Sequence, residues 1–247
     1  MATYCISDIH GCLDEFNALV EKINFNPEYD TLYILGDVID RGDYPIGCLQ
    51  YIMKNKSMQF ILGNHERMML DYFDEANNEV GKDMWLHNGS DSTEIQLLAL
   101  PKEERAALLE YLKTCPLYKT IDVNGRAFFL SHAGLDVRKP IPKQTVHNLT
   151  WSRESFLQKR ALKTHICIHG HTPTHYLNVG ENDCSVWVDM RHKDKICIDC
   201  GCVYGGAMAA LRLDDFAVFY AKSAQEALHP MSYKEGAIPS AFYGKAR

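Results

Sequence analysis

Residues 32–43 read LYILGDVIDRGD. Four apolar residues, Leu32, Tyr33, Ile34 and Leu35, stop at a glycine, and Asp37, Asp40, Arg41 and Asp43 follow at once. A solvated turn could look acidic, but it does not need one arginine among three aspartates. The same order of apolar run, small residue and ligand-type residue recurs at TYCISDIHG (3–11), QFILGNHE (59–66), FFLSHAGL (128–135) and ICIHGHT (166–172). The five segments together offer Asp8, His10, Asp37, Asn64, His132 and one of His169 and His171, a choice that spacing leaves open. All are oxygen or imidazole donors with no thiolate, which suits borderline divalent ions such as manganese, iron or zinc. Six or seven donors exceed one ordinary site and match two sites that share a bridging carboxylate. One Asp-x-His or one histidine alone is a weak signal. Five repeats, each beside a glycine or serine that lets the backbone turn sharply, are a strong one.

Donors at strand ends require elements that bring those ends together. After the first segment Leu13, Phe16, Leu19, Val20 and Ile23 fall on one face of a helix. After the second, Ile46, Leu49, Gln50 and Met53 do the same, with Pro45 suited to a first turn. These strand-loop-helix units predict a largely parallel sheet with its loops at the strand C-terminal ends. A helical section is expected over 66–114, inserted over one edge of the site. VNGR (123–126) reads as a type I′ hairpin turn. From 166 onward the apolar runs are short and closely spaced, which predicts mostly antiparallel pairing. No linker divides the chain, so 1–229 is expected to form one catalytic domain, with a loosely packed tail at 230–247.

The 247 residues, 46% of them hydrophobic, suffice for a substantial core. A net charge of −6 and the lack of a Lys/Arg block argue against nucleic acid as a partner. No signal-peptide pattern opens the chain and no apolar run reaches 18 residues, so the expectation is a soluble cytoplasmic protein with no membrane partner. Nine scattered cysteines do not read as a secreted disulfide framework. Cys197 and Cys200, in KICIDCGC, would face opposite sides of a strand, which argues against a zinc site there.

The series SDIHG, GDVIDRG, GNHE, HAGL and GHT resembles the phosphoprotein phosphatase (PPP) group of calcineurin-like metallophosphoesterases. Its bacterial and phage serine/threonine phosphatase branch, related to the symmetrical diadenosine tetraphosphatases, is the nearest in pattern. The resemblance runs from residue 3 to about 221 and takes in LTWSRE (149–154) and GCVYGGAMAALRLDD (201–215). Ser7 stands where the family usually has glycine and Cys200 where it tends to have threonine, while NGSDST (88–93) is a looser form of an Asn-Gly-Gly segment. The resemblance implies an α/β fold, mixed α+β in character: a four-layer α/β/β/α sandwich of two mixed sheets flanked by helices. It implies two divalent ions, manganese first with iron or zinc as alternatives, on Asp8, His10 and Asp37 and on Asp37, Asn64, His132 and His171. Hydrolysis would proceed by in-line attack of a hydroxide held between the ions, with His65 as general acid oriented by Asp40, and Arg41 and Arg153 on the phosphoryl oxygens. Asp43 receives no role; Tyr204 and Asn88 are weaker candidates for the site.

The substrate expected first is phosphoserine or phosphothreonine in proteins, because the tetraphosphatases tend to lack the aspartate at Asp40 and to carry GNHD. The alternative is a symmetrical bis(5'-nucleosyl)-tetraphosphatase or another hydrolase of small phosphorylated nucleotides. An inactive binding module is disfavoured because every ligand position and His65 are present.

Overall fold

The structure, a computed structural model, describes residues 1–74, 79–227 and 229–243. Strands β1 (Thr3–Ile6), β2 (Thr31–Leu35) and β3 (Met58–Ile61) alternate with helices α1 (Leu13–Lys22) and α2 (Pro45–Lys54). They pair in parallel, as the repeated strand-loop-helix pattern predicts. Helices α3 (Asn64–Phe73), α4 (Glu79–Leu86), α5 (Asp91–Ala99) and α6 (Lys102–Thr114) follow. Residues 75–78 of the expected helical section lie outside the described residues. Strands β4 (Tyr118–Val123) and β5 (Arg126–Ser131) form a hairpin, with Asn124 and Gly125 at φ 52° and 73° as a type I′ turn needs. Then come α7 (Val146–Trp151), α8 (Glu154–Gln158), β6 (Ile166–His169), β7 (Trp187–Val188), β8 (Lys195–Cys197), β9 (Ala207–Arg212), β10 (Ala217–Lys222), β11 (Gly236–Ala237) and α9 (Ser240–Tyr243).

One sheet runs β11-β10-β9-β1-β2-β3 and the other β4-β5-β6-β8-β7. Both are mixed. The second half is less antiparallel than expected, since β5, β6 and β8 pair in parallel. Crossovers through the short α7 and α8, and through residues 170–194 with no long helix, carry no helical period for the sequence to show.

Period-two alternation builds the layers. Ile6, Leu32, Ile34 and Phe60 face α1 and α2, against Phe16, Leu19, Leu49 and Ile52. Their neighbours Cys5, Leu35 and Ile61 face the second sheet, against Phe128, Leu130, Ile168 and Ile196. On the far side Phe129 and Cys167 pack under Leu149 and Phe156 of α7 and α8. The outcome is helix, sheet, sheet, helix. In α2 the core face is Ile46, Leu49 and Ile52, and Met53 is exposed. Among the described residues no helix is long and apolar enough to cross a membrane.

The segment after 229 docks where loose packing was expected: β11 pairs with β10, and Ile238 and Phe242 are buried beside Phe216. Residues 244–247 of that tail lie outside the described residues. Two anchors four residues apart around Pro239 set up no period, so the sequence hides the docking. Phe242→Ala should therefore lower the unfolding free energy by about 3 kcal/mol, read as a lower denaturant midpoint with unchanged slope; an unchanged midpoint would mean that the segment does not dock.

Candidate active site

The C-terminal ends of six parallel strands open on one cleft of about 580 Å3. β1 delivers Asp8 and His10, β2 Asp37, β3 Asn64 and His65, β5 His132, β6 His171 and β8 Asp199. Ligands collecting outside strand C-termini is the general rule for open α/β sheets. Two groups form around one carboxylate: His10, Asp37 and His65 converge within 4.8 Å, as do Asp37, His132 and His171. Asp37 Oδ2 lies 3.6 Å from His10 Nε2 and 3.3 Å from His132 Nε2. Asn64 Oδ1 is 2.8 Å and His171 Nδ1 3.1 Å from His132 Nε2. Asp8 accepts the backbone N–H of His171.

These contacts require positive charge. His10 Nδ1 donates to the Ile39 carbonyl and His132 Nδ1 to that of Leu35, which fixes both tautomers and turns both Nε2 atoms toward Asp37. Burial and the adjacent His65 and Arg41 push His10 well below its usual pKa; burial, His132 and Arg153 do the same to His171. Both rings are therefore neutral and offer lone pairs. His132 goes the other way: burial opposes its charge, but Asp37 prevails and raises it to about 10. Asp37, despite burial, is held well below the usual carboxylate range by His132 and His65. One proton cannot serve so many acceptors. The donor set fits divalent cations, with Asp37 common to both groups.

The remaining expected residues fall in place around this cluster. His65 Nδ1 is 2.6 Å from Asp40 Oδ2, and both side chains are buried. Arg41 reaches into the cleft, donating to His10 Nε2 and His65 Nε2. Arg153 lines the rim, with its guanidinium on Thr172 Oγ1. His169 turns away from the cluster and packs its ring on Phe156, so of the two histidines leaving β6 the structure brings only His171 to it. Tyr204 lies against the Arg41 guanidinium and, like Asn88, lines the cleft. Asp43 is exposed.

The backbone is shaped to this purpose. Among the described residues Asp8, His10, Asp37, Asp40, Arg41 and His171 all have φ between 45° and 73°. A left-handed residue with a side chain costs about 1–2 kcal/mol, and such strain collects at functional sites. The crossing loops leave no room for a side chain at Gly36, where a Cβ would stand 2.6 Å from Gly63 Cα and from His132 Nδ1.

Three further residues carried too little signal in the sequence. Glu66 of GNHE, fully buried, accepts backbone N–H groups from Asp37, Val38, Ile39 and Gly63, which ties the β2 loop to the β3 loop. Asp199 follows β8 by two residues and faces the cleft; burial raises it to about 6. Trp85 of α4 donates its indole N–H to Asp40 Oδ2. Glu66 was visible as part of a motif, Asp199 as another strand end in KICID, and Trp85 had no local sign.

The chain resembles known proteins in sequence and in fold. The family model for calcineurin-like phosphoesterases matches residues 1–206. The symmetrical bis(5'-nucleosyl)-tetraphosphatase of Glaesserella parasuis serovar 5 (strain SH0165) is 33% identical over 136 residues, 55% of this chain and 45% of that protein. The chain thus spans about half the length of the curated relatives it matches. A crystal structure of a protein provisionally named a diadenosine tetraphosphatase superposes with a TM-score of 0.69 at 19% identity, covering 91% of this chain and 95% of that one. A protein serine/threonine phosphatase from Saccharomyces cerevisiae gives 0.56 at 16% identity, covering 93% and 81%. At these identities the two structures speak to the fold alone.

Because both groups of donors share Asp37, Asp37→Asn should cost bound metal as well as activity. Metal analysis after loading with manganese checks this, and two ions retained per chain would contradict the shared role.

Proposed function

We infer the reaction from one premise: the chain belongs to the calcineurin-like phosphoesterase family. It is a metal-dependent phosphoesterase hydrolase. The observation that carries our reading of the chemistry is the buried His65–Asp40 pair in the wall of a cleft whose floor is a cluster of metal-ion donors. Divalent ions held by Asp8, His10, Asp37, Asn64, His132 and His171 would supply Lewis acidity and an activated water. The chain's own residues do the rest. Arg41 and Arg153 flank the donors, and their planar forks suit phosphoryl oxygens. Arg41 now rests on two imidazole nitrogens, which are poorer partners than a phosphate. Asp40 accepts from His65 Nδ1, leaving Nε2 turned to the cleft, where it delivers a proton to the leaving oxygen.

We propose a dinucleoside polyphosphate as the substrate. The names of the relatives in sequence support it, and so does the cleft, which runs on from the donors past Trp151, Tyr176 and Tyr204. Those faces suit stacking of a base. This places second the phosphoprotein substrate that the sequence favoured through Asp40. One observation still favours that second reading: a seryl or threonyl alkoxide needs a proton far more than a nucleoside diphosphate does, and the acid pair is complete.

Initial rates of manganese-loaded protein on diadenosine tetraphosphate and on a phosphoserine peptide, each with a chelator control, test the choice. The dinucleotide should be the faster substrate and chelation should abolish the rate; a much faster peptide would establish the protein phosphatase reading instead. His65→Ala should lower kcat about 10²–10⁴-fold with metal content unchanged, the loss being larger for a poorer leaving group. Parental activity in that variant would remove His65 as the acid.

A further inference from the structure

Asp40 is anchored from a direction the family motif does not contain. Its side chain is wholly buried, and among the described residues Oδ1 has no hydrogen-bond partner. Oδ2 receives two donors, His65 Nδ1 at 2.6 Å and Trp85 Nε1 at 2.9 Å. Trp85 is itself fully buried, wedged against Tyr72 and Phe73 with ring centroids 5.0 and 5.9 Å away. The same stretch of chain holds the backbone of this turn. Asp40 N–H donates to Thr93 Oγ1, and Arg41 N–H to the Gly89 carbonyl, both at 2.8 Å. Asp40 and Arg41 are consecutive left-handed residues, so neither is secured by regular structure.

An indole N–H only donates, and it has no proton to exchange with the site. With Oδ1 unpartnered, His65 alone would leave the carboxylate free to rotate about its last bond and swap oxygens. Trp85 removes that freedom by pinning Oδ2 from a rigid aromatic wedge.

We propose that Trp85 is a positioning residue for the proton donor: its indole N–H fixes the Asp40 carboxylate, which in turn aims His65 Nε2 at the leaving oxygen. This rests on His65 being the acid, as proposed above. Trp85 thereby becomes part of the reaction apparatus without touching substrate.

Leaving-group dependence separates this role from a merely structural one. p-Nitrophenolate departs with little help, whereas phenolate needs a proton. Trp85→Phe removes the N–H and keeps a ring among Tyr72 and Phe73. On the manganese-loaded chain it should lower kcat for phenyl phosphate about tenfold, with a much smaller loss on p-nitrophenyl phosphate and with KM and metal content unchanged. Combined with His65→Ala it should add no further discrimination between the two esters. Should Trp85→Phe fail to fold, the benzothienyl analogue of tryptophan at position 85 replaces N–H by sulfur at equal ring size and is held to the same result. Equal losses on both esters from the variant at 85, with His65→Ala still discriminating, would overturn the proposal alone. If His65→Ala itself slows both esters equally, the acid assignment fails and the proposal falls with it.

Discussion

Keeping several imidazole nitrogens aimed at one carboxylate inside a protein is the constraint on which the rest of this structure depends. Asp37 Oδ2 has imidazole nitrogens of His10, His65 and His132 within 3.8 Å, in a place that water barely reaches. Such a group is unfavourable without a cation, because each donor has given up its hydration to stand there. It persists because each ring is held from behind by its other nitrogen: His10 by Ile39, His132 by Leu35 and His65 by Asp40. The protein thus fixes tautomer and direction together, as metal-binding histidines generally require.

The fold serves this arrangement through its strand ends. Parallel pairing within each sheet puts β1, β2 and β3 in step in one sheet and β5, β6 and β8 in the other. Glu66 joins the loops after β2 and β3, its buried carboxylate taking N–H groups from both sides of Asp37. Burial and the charge of Asp37 raise it to about 7, and four backbone donors work against that rise. Without an acceptor these N–H groups would be stranded in the interior, which costs about 1–3 kcal/mol for each. One glutamate therefore keeps the β2 loop in a conformation that its own backbone preferences oppose.

What could be read from the sequence was whatever is local. The candidate ligand residues stand within four positions of the end of an apolar run, so the run and the donor appear in one glance, and the β1 to β3 units follow from helical period. His171 could not be separated from His169 by spacing, since both leave the same strand; it takes the left-handed turn after Gly170 to send one ring to the cluster and leave the other on Phe156. Parallel pairing of β5, β6 and β8 was hidden because their crossovers lack long helices. Trp85 meets Asp40 across 45 positions of chain. No window of sequence contains that contact, and an apolar residue in a helix reads as packing.

The density of charge in GDVIDRGD has a geometric reason. Asp40 and Arg41 are consecutive left-handed residues. Asp40 turns into the interior to meet His65 and Trp85, and Arg41 turns out into the cleft. A single turn therefore sets the direction of His65, the acid we propose, and the position of the Arg41 guanidinium. The two cannot be adjusted separately: a loop that relaxed to ordinary φ would move both. That coupling explains why Asp40 N–H and Arg41 N–H are each held by the segment from α4 to α5. It also bears on substrate. On the proposed reading, an acid fixed this firmly is worth its strain when the departing oxygen is basic, whereas a cleft that runs on past Trp151, Tyr176 and Tyr204 is of use when the departing group is large. A substrate with a bulky leaving group that still gains from protonation answers to both.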